Sequence, residues 1–158
     1  MDPAWLLAGL LLAAAPAAAS PAPEQFFVGR TEGVGTVSVM LSRRHSVRDR
    51  SRGRIEQRGT LVLDQIVEEE GKPPRRSRWR LTRSGGNRIT GTISDARSPV
   101  TGEVAGNVIH LRYRGAEGPS VEQWITLQPG GRTATNRMVF RRFGLVVATL
   151  ESTIRRVD

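Results

Sequence analysis

The feature that most constrains the fold is an alternation of apolar and polar residues, which is clearest between positions 102 and 113. Every second residue from Ile109 to Tyr113 is apolar, and His110 and an arginine lie between them. A period of two is typical of a strand with one buried face. Gly102 and Gly106 precede the apolar positions and permit a bulge or a positive φ. We therefore expect a strongly curved sheet.

Similar runs recur along the chain, separated by turn signals about every ten residues, such as Gly85-Gly86-Asn87 and Pro129-Gly130-Gly131. No helical period is found after residue 19. The predicted strands are 36–42, 60–67, 76–83, 89–93, 102–113, 121–128, 133–140 and 145–154. With eight to ten strands in sequence, the chain predicts an all-β, antiparallel up-and-down β-barrel. Barrels of this size are either filled by side chains or hold one small ligand.

The first 19 residues predict an export signal. Ala4 to Ala15 is an unbroken apolar run, Pro16 ends it, and Ala17 to Ala19 are small residues that suit cleavage after Ala19. The run is shorter than the roughly 20 residues that span a bilayer as a helix. Because no lysine or arginine precedes it, an uncleaved anchor remains the alternative. We expect a periplasmic or envelope location.

The remainder is expected to be a short linker and one domain. Ser20 to Glu24 contains two prolines and no apolar pattern, which is typical of a linker. Residues 25–158 then form a single barrel domain. Cysteine is absent, which excludes disulfides, thiolate nucleophiles and thiolate metal sites.

The chain is strongly basic, with a formal charge of +9, and all its basic residues except Lys72 are arginine. The bias also has a compositional explanation in a GC-rich genome. Arginine is densest from Arg43 to Arg58, where we predict a basic hairpin or loop. The candidate anion-binding residues are Arg43, Arg44, Arg48, Arg50, Arg52 and Arg54. The alternatives are a solvated strand face and a patch for an anionic membrane surface. Nucleic acid is disfavoured because the run lacks aromatic residues for stacking.

Recognisable catalytic patterns are missing from the sequence. His45 and His110 are the only histidines, and a metal site needs three or more converging ligands. No nucleophile elbow is present. Asp64 and Glu68 share a strand face but lie about 13 Å apart along it, too far for a glycosidase pair. We therefore expect a protein that is not an enzyme and needs neither metal nor cofactor.

A set of polar and aromatic residues on different strands is the candidate ligand site: Asp64, Trp79, Tyr113, Trp124, Asn136 and Arg137. If these side chains converge inside the barrel, they form a pocket in which Arg137 binds a carboxylate or phosphate. The alternative is a filled barrel in which the two tryptophans are core and Arg137 pairs with Asp64 or Glu103.

Motifs spread over most of residues 20–158 resemble a bacterial family known as domain of unknown function 3833. They are Phe26 to Gly29, Gly59 to Gly71, Arg78 to Thr82, Gly91, Gly102 to Asn107, Tyr113, Trp124, Asn136-Arg137 and Arg142 to Gly144. The resemblance implies an exported, lipocalin-like barrel, often a lipoprotein. This chain lacks the lipidated cysteine, and it has Glu122-Gln123 where the family tends to have an acidic pair and Glu68 where it often has an aromatic residue.

We expect an exported, lipocalin-like protein that binds a small apolar or amphiphilic ligand. The alternative is a structural or interaction protein that binds anionic lipid or a protein partner through its arginine-rich surface. Hydrolysis of a lipid-like substrate is an outside alternative. The sequence makes no prediction of oligomeric state.

Overall fold

A computed structural model describes residues 22–158, which form ten antiparallel strands. The strands are β1 (Gly29–Val39), β2 (His45–Ile55), β3 (Leu61–Glu69), β4 (Arg75–Ser84), β5 (Arg88–Ile93), β6 (Val100–Ala105), β7 (Val108–Arg114), β8 (Ser120–Leu127), β9 (Thr133–Arg142) and β10 (Leu145–Arg156). Each strand pairs with its neighbours in sequence, and β1 also pairs with β10. The sheet is therefore a closed up-and-down barrel, and the predicted fold is confirmed.

Most of the segment Arg43 to Arg58 is the strand β2, so the prediction of a basic loop is wrong there and the alternative of a solvated strand face is confirmed. Its inward residues include Val47, Ser51 and Gly53, which are buried. The outward positions between them are arginines. The inward residues are too small and too polar to produce an apolar alternation, so the strand is not evident from hydrophobicity alone.

The barrel interior holds the core. Leu63, Trp79 and Ile93 lie opposite one another across β3, β4 and β5, and all three are buried. On the far wall, Ile109 and Leu111 of β7 are also buried, as the alternation in this segment predicts. These inward apolar side chains form one contiguous cluster, and their removal from water is the main force that stabilises the barrel.

One end of the barrel, the closed end, is covered by a 3₁₀ helix, Pro23–Phe27. Phe26 and Phe27 are buried in the core and meet edge to face with ring centroids 5.1 Å apart. The Glu24 carboxylate accepts hydrogen bonds of 2.6 and 2.9 Å from Arg83 of β4. The linker predicted over residues 20–24 is therefore wrong for Pro23 and Glu24, which belong to this helix.

The other end, the open end, contains five connections: β1–β2, β3–β4, β5–β6, β7–β8 and β9–β10. Within residues 22–158 no helix covers it. Inward side chains near it, such as Met138, Phe140 and Leu150, are only partly buried. The two ends of one barrel therefore differ in how far the interior is shielded.

Two glycines singled out by their position before β7 play different parts. Gly106 has a φ of 58° in the β6–β7 turn, as predicted. Gly102 forms no bulge: it pairs with Leu111, and a Cβ there would lie 2.0 Å from the carbonyl oxygen of His110. Only glycine allows this close approach of two strand backbones.

The predicted signal peptide, residues 1–19, lies outside the described residues. Helices within residues 22–158 are too short to span a lipid bilayer.

Candidate functional site

The structure does not bring the six candidate ligand residues together. Trp79, Tyr113 and Asn136 face the interior, whereas Asp64, Trp124 and Arg137 lie on the outer surface. The reason is strand parity: Asp64 lies between the inward Leu63 and Gln65, and Trp124 and Arg137 are directly opposite each other on the outer face of β8 and β9. A single pocket formed by all six is therefore excluded.

A chain of hydrogen bonds runs along the inner wall. The Trp79 indole Nε1–H donates to Gln65 Oε1 at 3.0 Å, and Gln65 Nε2 donates to Asp49 Oδ2 at 3.2 Å. Asp49 faces inward because it pairs with Gly33 of β1 and Val67 of β3. A Cβ on Gly33 would lie 2.0 Å from Asp49 Oδ1, so the carboxyl group needs glycine there. A mostly buried acid is thus held against the wall.

The electrostatic environment of Asp49 is unusual for a carboxyl group. Burial raises its pKa, and the hydrogen bond from Gln65 offsets this only in part. No arginine, lysine or histidine among residues 22–158 pairs with it. The prediction of a loop in this segment hides Asp49, which lies in β2 at the inward position between the inward Val47 and Ser51.

Tyr113 and Asn136 are the other two candidate ligand residues that face the interior. The Tyr113 ring meets Trp79 edge to face at 5.6 Å, and burial raises the pKa of its phenol. Its hydroxyl makes no hydrogen bond to any described residue. The Asn136 amide, by contrast, accepts from Gln123 at 2.9 Å and donates to Ser152 at 3.2 Å. Tyr113 is therefore free to bind a ligand, whereas Asn136 is engaged in the wall.

The outer candidates have partners of their own. Trp124 stacks on His110, with ring centroids 4.9 Å apart, and the Arg137 guanidinium lies 5.8 Å from the Trp124 ring. Arg137 approaches Glu151 at 3.8 Å, so the predicted pairing of Arg137 with Asp64 or Glu103 is wrong.

Asp64 pairs instead with arginines of two neighbouring strands. Its carboxylate accepts from Arg78 at 2.6 Å and from Arg54 at 3.3 Å, and the hydrogen bond from Arg78 lowers its pKa. It therefore belongs to the charged outer surface and not to an interior pocket.

The predicted anion-binding arginines occupy two places. Arg43 and Arg44 lie in the β1–β2 turn, and the other four, Arg48, Arg50, Arg52 and Arg54, lie along the outer face of β2. Arg50 pairs with Glu68, and Arg54 with Glu56 and Asp64. The remaining four make no ion pair with a residue of the described chain.

An open groove of about 780 Å³ crosses the outer face of β1 to β4. Its charged lining residues are Arg30, Glu32, Arg50, Arg52, Asp64, Arg76 and Arg78. Five arginines face two carboxylates, so the groove favours anions. No three histidine or acidic side chains of residues 22–158 converge as a bound metal ion would require.

Three solved structures share this barrel. The S-type phycobiliprotein lyase CPES of Guillardia theta superposes with a TM-score of 0.65 at 8% identity, covering 85% of this chain and 90% of the lyase. The Rv2717c protein of M. tuberculosis superposes with a TM-score of 0.63 at 13% identity, covering 87% of this chain and 99% of that protein. A Nostoc punctiforme protein of unknown function from the DUF3598 family superposes with a TM-score of 0.59 at 13% identity, covering 89% of this chain and 53% of that protein. At these identities the likeness shows the fold.

No curated protein matches the chain in sequence. A family profile does match, over residues 14–156, and it is described as a protein of unknown function, DUF3833. The match spans nearly the whole barrel and confirms the resemblance that the motifs indicate: the chain belongs to the DUF3833 family.

Proposed function

We propose that this protein binds a small amphiphilic molecule inside the barrel and is not an enzyme. The observation that carries the proposal is Asp49, a mostly buried carboxyl group with one hydrogen-bond donor and no cationic partner among residues 22–158. A buried acid costs stability unless it is paired. A ligand that supplies the missing partner would repay this cost, which is why such groups mark candidate sites.

The position of Asp49 also sets the chemistry of the ligand. Arg137 was predicted to bind the head group of the ligand, but it lies on the outer surface. The inner wall presents the carboxyl group of Asp49 instead. The preferred head group is therefore a hydrogen-bond donor or a cation, such as a hydroxyl or an amine, and not a carboxylate. The apolar part of the ligand would contact Trp79 and Tyr113, whose rings already pack together on the inner face.

Export to the periplasm or envelope is part of the proposal. The apolar run Ala4 to Ala15, followed by small residues, supports it. An exported barrel of this size fits the capture or transfer of a molecule that is poorly soluble in water.

The test uses two matched pairs of variants in protein purified from a bacterial periplasm. Asp49→Asn and Trp79→Phe change the interior, and Asp64→Asn and Trp124→Phe make the same changes on the outer surface. Native mass spectrometry with lipid extraction should find a bound molecule that survives high salt. We expect its occupancy to fall about tenfold in Asp49→Asn, as for loss of a charge-assisted hydrogen bond, and to remain unchanged in Asp64→Asn.

Stability gives an independent readout for Asp49. The fold raises the pKa of Asp49 above the value of 3.8 that it has in the unfolded chain. Between these two pKa values the unfolded chain binds fewer protons than the folded protein, so the free energy of unfolding falls as pH rises. Asp49→Asn removes this loss and should stabilise the empty protein by about 1 kcal/mol at neutral pH, with no gain in acid. Equal occupancy in all four variants, or a destabilised Asp49→Asn protein, would contradict the proposal.

The arginine groove is the basis of a second candidate function, the binding of an anionic lipid or an acidic protein segment. The observation that favours it is that Arg52 and Arg76, both in the groove, pair with no carboxylate of the described chain. Binding through exposed arginines weakens with salt. A salt-sensitive interaction that Arg52→Gln with Arg76→Gln abolishes would support this candidate, and salt-resistant binding would contradict it.

A further inference from the structure

Large exposed apolar side chains are concentrated at one place on the surface. Among residues 22–158 there are seven, and five of them lie at the tips of two hairpins at the open end, three in the turns and two at the start of β10. They are Met40, Leu41, Phe143, Leu145 and Val146. Leu41 is 99% exposed and Phe143 is fully exposed. Scattered apolar residues are ordinary on protein surfaces, but a cluster of this kind indicates a contact surface.

The two turns are adjacent in space. β1 pairs with β10, and the Met40 amide donates to the Val147 carbonyl at 2.9 Å, just beyond the last strand pair. Leu41 therefore lies beside the start of β10, and the β9–β10 turn at Phe143 extends further from the barrel. We call Met40, Leu41, Phe143, Leu145 and Val146 the apolar tips. They form one projecting ridge on the rim of the open end.

The backbone holds the two most exposed tip residues in an unfavourable conformation. Leu41 has a φ of 63° and Phe143 a φ of 52°, a region that favours glycine. Each costs about 1 to 2 kcal/mol relative to a glycine. Glycine follows Phe143 directly and a turn needs no large side chain there, so the apolar side chains have no structural reason to be in these positions. Such strain is common at functional sites.

Positive charge accompanies the apolar tips. Arg43 and Arg44 follow Leu41, and neither makes an ion pair with another described residue. At the base of the second hairpin, Arg141 pairs with Glu122 at 2.9 Å and Arg142 donates to the Glu117 carbonyl at 2.9 Å, which fixes its orientation. Apolar side chains beside the unpaired Arg43 and Arg44 match a lipid interface, where acyl chains lie beneath phosphate groups.

A third hairpin at the same end shows that this pattern is local. The β3–β4 turn reads Glu70-Gly71-Lys72-Pro73-Pro74 and has no apolar side chain that projects. Its Glu70 accepts a hydrogen bond from the Ser46 amide at 3.0 Å, and Lys72 approaches Glu69 at 3.3 Å. A membrane that contacts the apolar tips would therefore meet the rim on the side of β1, β9 and β10.

We propose that the apolar tips insert into the surface of a bilayer that contains anionic lipid, with Arg43 and Arg44 on the phosphates, so that the open end of the barrel faces the membrane. The inference is independent of whether a ligand occupies the interior. It needs no helix or lipid anchor, because side chains of two hairpins supply the apolar contact.

The experiment measures flotation with vesicles of phosphatidylcholine, with or without about one quarter phosphatidylglycerol. It uses residues 20–158, because the apolar run Ala4 to Ala15 would itself bind lipid and the barrel closes on itself without it. Wild-type protein should float with the anionic vesicles. Leu41→Ser with Phe143→Ser should lower the partition coefficient at least tenfold, since two large apolar side chains leave the lipid.

Matched controls separate the tips from general effects. Val34→Ser alters an apolar residue that is 58% exposed on the outer face of β1, and it should float as the wild type does. Arg43→Gln with Arg44→Gln should remove the preference for phosphatidylglycerol, whereas Arg58→Gln with Arg88→Gln, the same charge change at the closed end, should largely retain it. Circular dichroism confirms that each variant is folded.

A second measurement does not depend on loss of binding. Phe143→Trp places an indole at the tip, and brominated lipid should quench its fluorescence if the ring enters the bilayer. Flotation of the double serine variant equal to that of Val34→Ser, or an unquenched Trp at position 143, would overturn the proposal. So would a dimer that forms without vesicles and dissociates in the double serine variant, because the tips would then bind a second copy.

Discussion

The two ends of the barrel differ in what they do with their apolar side chains. The closed end turns them inward: Phe26 and Phe27 are buried in the core, and the turns around them are rich in glycine and asparagine. The open end turns them outward, with Leu41 and Phe143 fully exposed on strained backbone. At one end the apolar residues stabilise the fold, and at the other they are available to a partner.

This contrast indicates where substitutions should affect stability and where they should affect binding. Between the two ends lies Asp49, inward but unpaired with any cation of the described chain, on the inner wall between the core and the open end. The interior is therefore apolar and buried near the closed end, and more polar and partly exposed near the open end.

The largest effect is expected from Phe26→Ala at the closed end. Phe26 is 3% exposed in the core, so its truncation leaves a cavity and should cost about 3 to 5 kcal/mol of unfolding free energy. Leu41→Ala, which removes a similar apolar side chain at the open end, should change stability by less than about 0.5 kcal/mol. Denaturant unfolding measures both. Similar losses at the two positions would show that the ends do not differ in this way.

An intermediate effect of opposite sign is expected from Leu41→Gly. Glycine adopts the positive φ at this position without strain, but it also has more conformational entropy in the unfolded chain. Because the first effect is larger, the free energy of unfolding should rise by about 0.5 to 1 kcal/mol. Ser42→Gly is the matched control, since Ser42 has no positive φ and should lose stability. If Leu41→Gly also destabilises the protein, the tip side chain contributes to the fold and the contrast is weaker.

The smallest effect concerns a histidine on the rim of the open end. His45 Nε2 lies 2.6 Å from Glu69 Oε1, and this hydrogen bond raises the pKa of His45 above 6.5. Burial alone would raise the pKa of Glu69, but hydrogen bonds from His45 and Lys72 lower it overall. The link between β2 and β3 should therefore be strongest below pH 6.5 and weaken as pH rises through the raised pKa of His45.

Titration by NMR tests this link. The His45 ring should titrate above 6.5 in the wild type and near 6.5 in Glu69→Gln. The protection factors of amides in the β3–β4 turn, which are corrected for the intrinsic pH dependence of exchange, should fall as pH rises through the raised pKa of His45 in the wild type and not in Glu69→Gln. An identical His45 titration in both proteins would show that Glu69 does not hold the proton.

Much of the fold could be predicted from the sequence, because alternation reports burial directly. In β7, Ile109 and Leu111 are inward and buried as their spacing indicates. The method fails where inward residues are small or polar, as in β2, and where no period exists, as at Phe26-Phe27. These two phenylalanines cover the barrel from a single 3₁₀ turn, which is too short to show a pattern.

The candidate site was less predictable, because grouping side chains by type ignores parity. In β8 the alternation of Val121, Gln123 and Ile125 marks the inner face, which puts Trp124 outside despite its size. Asp49 was missed because two arginines flank it and the segment lacks an apolar rhythm. The register of β2 against β1 and β3 shows that it faces inward, on the same side as Val47 and Ser51.

The pairing of β1 with β10 has a consequence for the order of folding. Thr31 of β1 pairs with Arg156 of β10, and the Arg30 amide donates to the Asp158 carboxylate at 3.0 Å. These contacts join residues that are more than 120 positions apart in the sequence. A chain synthesised from its amino terminus therefore keeps an open sheet edge at β1 until β10 has emerged. The barrel can close only when β10 is available to pair with β1, so we expect this long-range pairing to form late in folding.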